Sequence, residues 1–534
     1  AVHRITKLNA GRFTAGIDGI AIPKGSNKAA QDKWRHKRLA EIDVYKTPAP
    51  IRRVFIPKSN GKLRPLGILT IADRIVQDIL RQALEPIVEY HFSTRSYGFR
   101  PKRCAQDAIE DLFGKLSRKG SRRWIVEGDI SGCFNHISHC HIIKTLRDWH
   151  TPIWAIDIIH KMLKAKIFYN GQAFPSNEGT QQGGPISPIL ANVALTALDE
   201  YCEKFGWNTV SPITRFADDF VVVCKSEKEA EFIKKEISIF LKQEIGLDLS
   251  DEKTQITHIT KGFDFLGFNI RKYKTRDLKS KKSKWDDYQL IIKPQKEKVA
   301  RFLDNCRKEL KSQKTITQDA MVAILNRKLM GWGNYYRFVC SKETFNRIDH
   351  EIWWKCYRWA KRRHPNKSAG WVINKYFFRK GNRKDKFHDK ESNTFLFIMS
   401  SISCARRWIK VRREYRVHDG RKEAIEYWQN REYMNAKDSI YGSGALTQLF
   451  RGQKGKCAFC KTPITPKAVK NGDIHRHHMK PRTFSGDEKL RNLRLLHGEC
   501  HRDLHADFTR EEMAKYDDSG IDYLRLLKRK RSPE

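Results

Sequence analysis

What this sequence has little of is acid. Its 534 residues carry 61 Asp and Glu against 104 Lys and Arg, a formal net charge of +43. An excess this large, spread along the chain rather than gathered in a tail, destabilises a compact state unless a polyanion shares it, so the expected partner is nucleic acid. Long apolar runs are missing too: none reaches the ~18 residues that span a bilayer, which excludes a membrane-spanning helix. Ala1, Val2, His3 and Arg4 lack the apolar core of a secretory signal, and Ala in first place points to trimming at that end. Paired cysteines are scarce. The 12 Cys are scattered apart from one C-x2-C, a pattern that suits a reducing cytoplasm rather than a disulfide framework. With 40% hydrophobic residues the chain is expected to be globular, and its length allows three or more domains with separate cores.

The acids Asp218 and Asp219 organise the rest. Arg215, Phe216 and Ala217 precede them and Phe220, Val221, Val222 and Val223 follow. These flanks favour strands, which places the pair at the tight turn of a hairpin. Such a turn is ordinarily solvated. Two like charges held together in a site need instead a cation between them and another acid, and a pair of Mg²⁺ ions meets that need. Asp129 is the candidate third acid, standing at the end of the short apolar strand Trp124–Asp129. If the two strands are neighbours, three carboxylates converge where two metals can activate a primer 3′-hydroxyl and stabilise leaving pyrophosphate. Phe134, five residues on, is placed to close a pocket beside a nucleotide's 2′ position. Gln181, Gln182, Gly183, Gly184 and Pro185 form a loop whose paired glycines admit close backbone approach, and Pro188 opens an apolar helix towards Asp199. Earlier, two strands flank a Ser59-Asn60-Gly61 turn, across which Lys58 and Arg64 share a side and suit a triphosphate. Ile71–Phe92 reads as a helical region interrupted at Pro86.

The fingers hairpin, the Asp129 strand, Gln-Gly-Gly-Pro-Ile-Ser-Pro, Phe-Ala-Asp-Asp, Leu249-Ser-x-Glu-Lys-Thr254 and Phe265-Leu-Gly-Phe268, in that order, resemble the reverse transcriptase of group II intron-encoded proteins. The resemblance covers about residues 10–270. It implies a right-hand polymerase in which Asp129, Asp218 and Asp219 hold Mg²⁺, Lys58 and Arg64 contact the dNTP triphosphate, and Gln182 lies beside its sugar. It also implies that Phe134 governs tolerance of a 2′-hydroxyl and that Lys253 assists the pyrophosphate. Phe216 stands where Tyr is commoner and Gln181 where Pro is usual, which leaves activity intact and bears on fidelity.

A basic connection follows, with Arg271, Lys272, Lys274, Arg276 and further lysines to Lys284, either a solvated loop or a phosphate contact. Val299, Phe302, Leu303, Cys306 and Leu310 recur at helical spacing and read as core. The segments 325–337 and 353–364 interleave aromatic and basic residues, the former expected in the core and the latter towards nucleic acid. They resemble the family's thumb, or maturase, which implies binding of the parent intron RNA. Arg406, Arg407, Trp408, Lys410, Arg412 and Arg413 match the family's DNA-binding segment by position.

The C-terminal region carries a second chemistry. Cys457-x2-Cys460 and His497-x2-Cys500 are two knuckles whose spacing suits one tetrahedral structural Zn²⁺. With them stand His475, His477, His478, Asn492, His501 and His505, which resemble the HNH, or ββα-metal, nucleases. That resemblance implies His477, His501 and His505 as ligands of a catalytic metal, Mg²⁺ being the expected ion, His478 as general base and Asn492 as the residue orienting it. Neutral imidazole suits both roles.

The expected fold is α+β and multidomain: fingers and palm over 1–285, a helical thumb over 286–380, a basic DNA-binding region over 381–440 and a zinc-containing nuclease over 441–534. The implied function is RNA-directed DNA polymerase, intron maturase and DNA-nicking endonuclease. It would act in a ribonucleoprotein with intron RNA and target DNA, in a prokaryotic cytoplasm or organelle matrix. Two rivals stand beside it. A stand-alone reverse transcriptase would lack the maturase-like helices and the nuclease, and a non-enzymatic splicing cofactor would have no need of all three carboxylates.

Overall fold

The computed structural model describes residues 1–23, 28–57, 61, 63–118, 120–205, 211–275, 288–380, 383–392, 394–404, 408, 411–439, 444–465, 468–469, 473–479, 487 and 489–507. The chain divides into two units: Ala1–Phe263 with Arg271–Leu290 and Lys410–Ala424, and Asp264–Ile270 with Ile291–Ile409 and Ile425–Glu534. Among the described residues no helix is long and apolar enough to cross a membrane.

The first unit opens with short helical turns and α1 (Lys28–Ala40), then the fingers hairpin β1 (Ile51–Pro57) and β2 (Leu63–Ile68). Next comes α2 (Ile71–His91), capped by Thr70, whose hydroxyl accepts from the Asp73 amide at 3.1 Å. The interruption expected at Pro86 does not occur: α2 is continuous through it. Pro86 removes one intrahelical donor, and the buried face of Leu80, Leu84 and Val88 carries the helix past that loss.

There follow α3 (Ala105–Leu116), β3 (Trp124–Asp129), α4 (Cys133–His136), α5 (His139–Asp148), α6 (Ile153–Leu163), β4 (Ile167–Tyr169) and β5 (Gln172–Phe174). The palm is completed by α7 (Ser187–Glu203), β6 (Thr214–Phe216), β7 (Asp219–Cys224), α8 (Glu227–Phe240) and β8 (Gln255–His258). Two four-stranded sheets result, ordered β2-β1-β4-β5 in the fingers and β6-β7-β3-β8 in the palm. Val126, Phe220 and Val222 of the palm sheet share one core with Leu190, Val193 and Leu195 of α7 and Ile233 and Ile237 of α8. Burying such side chains is worth about 1.5–3 kcal/mol each, so this core holds the acidic strand ends in place.

Strands β9 (Phe263–Phe265), β10 (Phe268–Lys274) and β11 (Tyr288–Pro294) lead into the second unit. Its helices are α9 (Lys296–Ser312), α10 (Gln318–Tyr336), α11 (Lys342–Arg363) and α12 (Ala369–Tyr376). On α9, Val299, Leu303, Cys306 and Leu310 are buried as their spacing predicts, but Phe302 is only half-buried. Strands β12 (Phe377–Lys380), β13 (Arg383–Asp389) and β14 (Thr394–Phe395) form an antiparallel sheet. After α13 (Lys422–Ser439) come α14 (Gly444–Gly452), the hairpin β15 (Ile474–His478) and β16 (Leu493–His497), and α15 (Gly498–Asp507). Phe450, Leu493, Leu495 and Leu504 fill the core of this ββα arrangement.

Candidate functional site

Asp129 and Asp219 meet because β3 and β7 are antiparallel neighbours in a register that sets one opposite the other. Asp218 is the adjoining turn residue, since Phe216 pairs with Asp219 across a two-residue turn of Ala217 and Asp218. Burial, then the Asp218 charge and a hydrogen bond with Asp129, pushes Asp219 up to about 7. Asp218 is raised chiefly by burial, and Arg64 is near enough for its charge to offset part of that rise. Lys253 Nζ lies 2.5 Å from Asp129 Oδ2, and that bond raises the lysine's pKa. Three carboxylates make an all-oxygen donor set, the kind Mg²⁺ takes, and the proton held by Asp219 near neutrality marks a site short of positive charge.

The turn rests on a buried network to which the motif reading assigned no role. Ala217 has φ +60°, a left-handed conformation that strains a non-glycine residue. Arg215, fully buried, donates to its carbonyl at 3.0 Å and grips Asp199 with two bonds of 2.8 and 2.6 Å. Asn192 accepts from the same guanidinium at 2.9 Å and donates to the Gly98 carbonyl at 2.8 Å. A Cβ on Gly98 would lie 2.3 Å from the Ala217 amide nitrogen, so the backbones touch there. The signal available in sequence was Asn192-x6-Asp199, two polar residues on one face of an otherwise apolar helix. Gly128 meets a similar constraint, since a Cβ there would lie 2.0 Å from the Phe220 ring.

The fingers join the palm through the glycine loop. The Gly67 amide donates to the Gln182 carbonyl at 2.8 Å, and the Gln182 side chain donates to Asn135 at 3.3 Å. Gln77 donates to Gln181 Oε1 at 2.9 Å. A recess of about 430 Å³ opens here, with Arg53, Gly67, Asn135 and Gln182 on its walls. Phe134 sits on α4 with its ring edge-on to Phe99, centroids 6.1 Å apart. Arg64 pairs with Ile56 across the hairpin and is exposed. Lys58 lies outside the described residues, as do Arg276 to Lys284, Arg406, Arg407 and Lys410. Of the remaining basic residues, Arg413 pairs with Asp111 at 3.1 Å and Arg416 donates to the Glu89 carbonyl at 2.9 Å, both within the first unit.

In the second unit, Cys457, Cys460, His497 and Cys500 bring one donor atom each to within 4.8 Å of one another. A tetrahedral Zn²⁺ with Zn–S near 2.3 Å needs donor separations of about 3.8 Å, so the cluster fits that ion. The Ala458 amide bonds the Leu495 carbonyl at 3.0 Å, which ties the first knuckle to β16. His477, His501 and His505 also bring donors within 4.8 Å of one another, with His501 and His505 Nε2 atoms 3.2 Å apart. Burial lowers His477 to about 3 and His501 to about 4, so both imidazoles are neutral at physiological pH. His478, the last residue of β15, stands opposite Leu493. Asn492 is buried, donates to the Asp487 carbonyl at 2.8 Å and accepts from the Met479 amide at 2.8 Å. His475, given no role by the motif, lies with Nδ1 3.3 Å from His501 Nδ1. Its spacing of two from His477 on one strand was the legible sign of a shared face.

Three family models match the chain: Reverse transcriptase (RNA-dependent DNA polymerase) over 56–270, Group II intron, maturase-specific domain over 299–377, and HNH endonuclease over 457–507. The chain is 34% identical over 305 residues to Protein YkfC of Escherichia coli, covering 51% of this chain and 80% of that one. It is 28% identical over 395 residues to Group II intron-encoded protein LtrA of Lactococcus lactis, covering 59% of this chain and 65% of LtrA. A 91 kDa protein in the cob intron of Schizosaccharomyces pombe is 40% identical over 168 residues, which span 31% of this chain and 20% of that protein.

Proposed function

This chain belongs to the group II intron-encoded proteins, and from that premise we propose that it nicks a DNA target and uses the freed 3′-hydroxyl to prime copying of its intron RNA. Its reverse transcriptase, maturase and HNH domains make it a multifunctional intron protein, with an RNA-directed DNA polymerase and a DNA endonuclease on one chain. The domains are assigned as fingers and palm over 1–285, thumb over 286–380, DNA-binding region over 381–440 and nuclease over 441–534.

The observation that carries the polymerase assignment is the facing of Asp129 and Asp219 with Asp218 beside them. These three residues hold divalent cations, Mg²⁺ by their oxygen chemistry. When bound, the ions supply charge neutralisation at the attacking hydroxyl and the leaving pyrophosphate. Arg64, with Lys58, meets the triphosphate, and Lys253, already drawn to Asp129, is placed to give a proton to the leaving group. Gln182 and Phe134 line the approach to the nucleotide sugar, beside the recess that receives the base pair being formed.

In the nuclease, His478 takes the proton from the attacking water and Asn492 steadies the hairpin that carries it. His477, His501 and His505 hold the metal. Three imidazole nitrogens suit a borderline transition ion better than the Mg²⁺ expected from the motif. Cys457, Cys460, His497 and Cys500 hold the structural Zn²⁺. Intron RNA, target DNA and dNTPs are the partners of this reading, and a prokaryotic cytoplasm or organelle matrix is its setting. Primer extension on an RNA template tests the palm: Asp218→Ala with Asp219→Ala should abolish it while RNA binding survives, and extension at the wild-type rate would refute the assignment.

A further inference from the structure

Helices α9 and α10 face each other across a groove of about 640 Å³ that continues into a second depression of about 280 Å³. Phe302, Asn305 and Trp332 line both. Phe302 and Trp332 lie nearly parallel, with centroids 5.1 Å apart and planes at 27°. The apolar residues Val299, Leu303 and Cys306 of α9 are buried, whereas these two rings remain partly open to solvent. Lys298 and Arg301 border one end. Glu309, an acid on the wall, is paired with Lys328 at 2.6 Å, and Lys308 is shared with Asp304 at 3.0 Å. Unshared positive charge thus collects at the Lys298–Arg301 end, beside the aromatic faces.

Flat π-faces next to cations, with an amide and a hydroxyl (Asn305, Ser312) on the same wall, are the chemistry of a nucleotide whose base is out of its helix. We propose that this groove holds an unpaired base of single-stranded RNA, stacked at Phe302 and Trp332, with its phosphates on Lys298 and Arg301. The inference rests on the maturase reading, because Arg301, Phe302 and Trp332 fall inside the maturase-specific match at 299–377. It adds a stacking subsite to that reading. A duplex keeps its bases stacked on one another and offers none to the rings.

The test uses the full chain, a single-stranded RNA with one 4-thiouridine, a fully duplex RNA of the same sequence and a single-stranded DNA. Irradiation should crosslink the RNA to peptides containing Phe302 or Trp332. Phe302→Leu, which keeps an apolar filler, and Arg301→Gln should each weaken single-stranded RNA binding by about tenfold and leave duplex binding and melting temperature unchanged. Equal losses on both RNAs, or crosslinks confined to other peptides, overturn the groove assignment while leaving the maturase reading intact. Equal crosslinking and affinity for the DNA overturns the assignment to RNA. A wild-type chain that binds no RNA at all overturns the maturase reading and the subsite with it.

Discussion

Asp129 and Asp219 are cross-strand partners, the last residue of β3 set against the first of β7. Burial first, then the charge of the adjoining Asp218 and the hydrogen bond with Asp129, is why Asp219 holds its proton up to about pH 7. A carboxyl whose pKa rises on folding contributes stability that is full below its unfolded value and is lost as pH climbs through the folded one. Asp219→Asn should therefore raise the melting temperature of the metal-free protein. The gain should be small near pH 4 and full above about pH 7, and primer extension should be lost. Thermal melts across that range without Mg²⁺ check this, and a lower melting temperature at pH 8 would contradict it. Magnesium competes with the same proton, so its affinity should strengthen from about pH 6 to 8.

Asp199 sits beneath that turn, wholly buried and bonded twice to Arg215. Asp199→Asn leaves the guanidinium buried without its counter-charge, at a cost of about 3–5 kcal/mol. Urea unfolding should register that loss. Extension should fall even where the protein stays folded, because Arg215 also holds the Ala217 carbonyl. A variant as stable and as active as wild type would remove the network from the account.

The cluster of Cys457, Cys460, His497 and Cys500, proposed to hold zinc, is tested separately. Cys460→Ser removes one of four donors, so metal analysis should find one equivalent of zinc lost and DNA nicking should fail. Extension on a supplied primer should persist, since the palm core lies in the first unit. Full zinc content in the variant would contradict the assignment of Cys460 as a ligand.

The parts of these sites that were legible in sequence are those made by neighbours along the chain. Asp218 and Asp219 are adjacent, a strand ending in Asp129 announces itself by its apolar run, and C-x2-C with H-x2-C encodes its own knuckles. The supports were legible only in part: Asn192-x6-Asp199 marks a polar face, but what that face meets is set by the fold. Arg215 stood inside the motif, yet its partners Asp199 and Asn192 lie on a helix whose register against β6 no local pattern states. The contact of the exposed Arg413 with Asp111, 302 positions earlier, is of the same kind. Pro86 misled for the opposite reason: a local rule against proline in helices was outweighed by the buried face of α2.

The central claim is that one chain makes a primer and extends it. An intact DNA duplex bearing the target site, incubated with the ribonucleoprotein and labelled dNTPs, tests it through the DNA strand to which new cDNA is joined. Wild type should yield cDNA covalently continuous with the nicked strand. His478→Ala should yield none on intact DNA and regain full synthesis on a duplex nicked beforehand. Cleavage-independent cDNA from His478→Ala on intact DNA, or no recovery on the nicked duplex, would contradict the account.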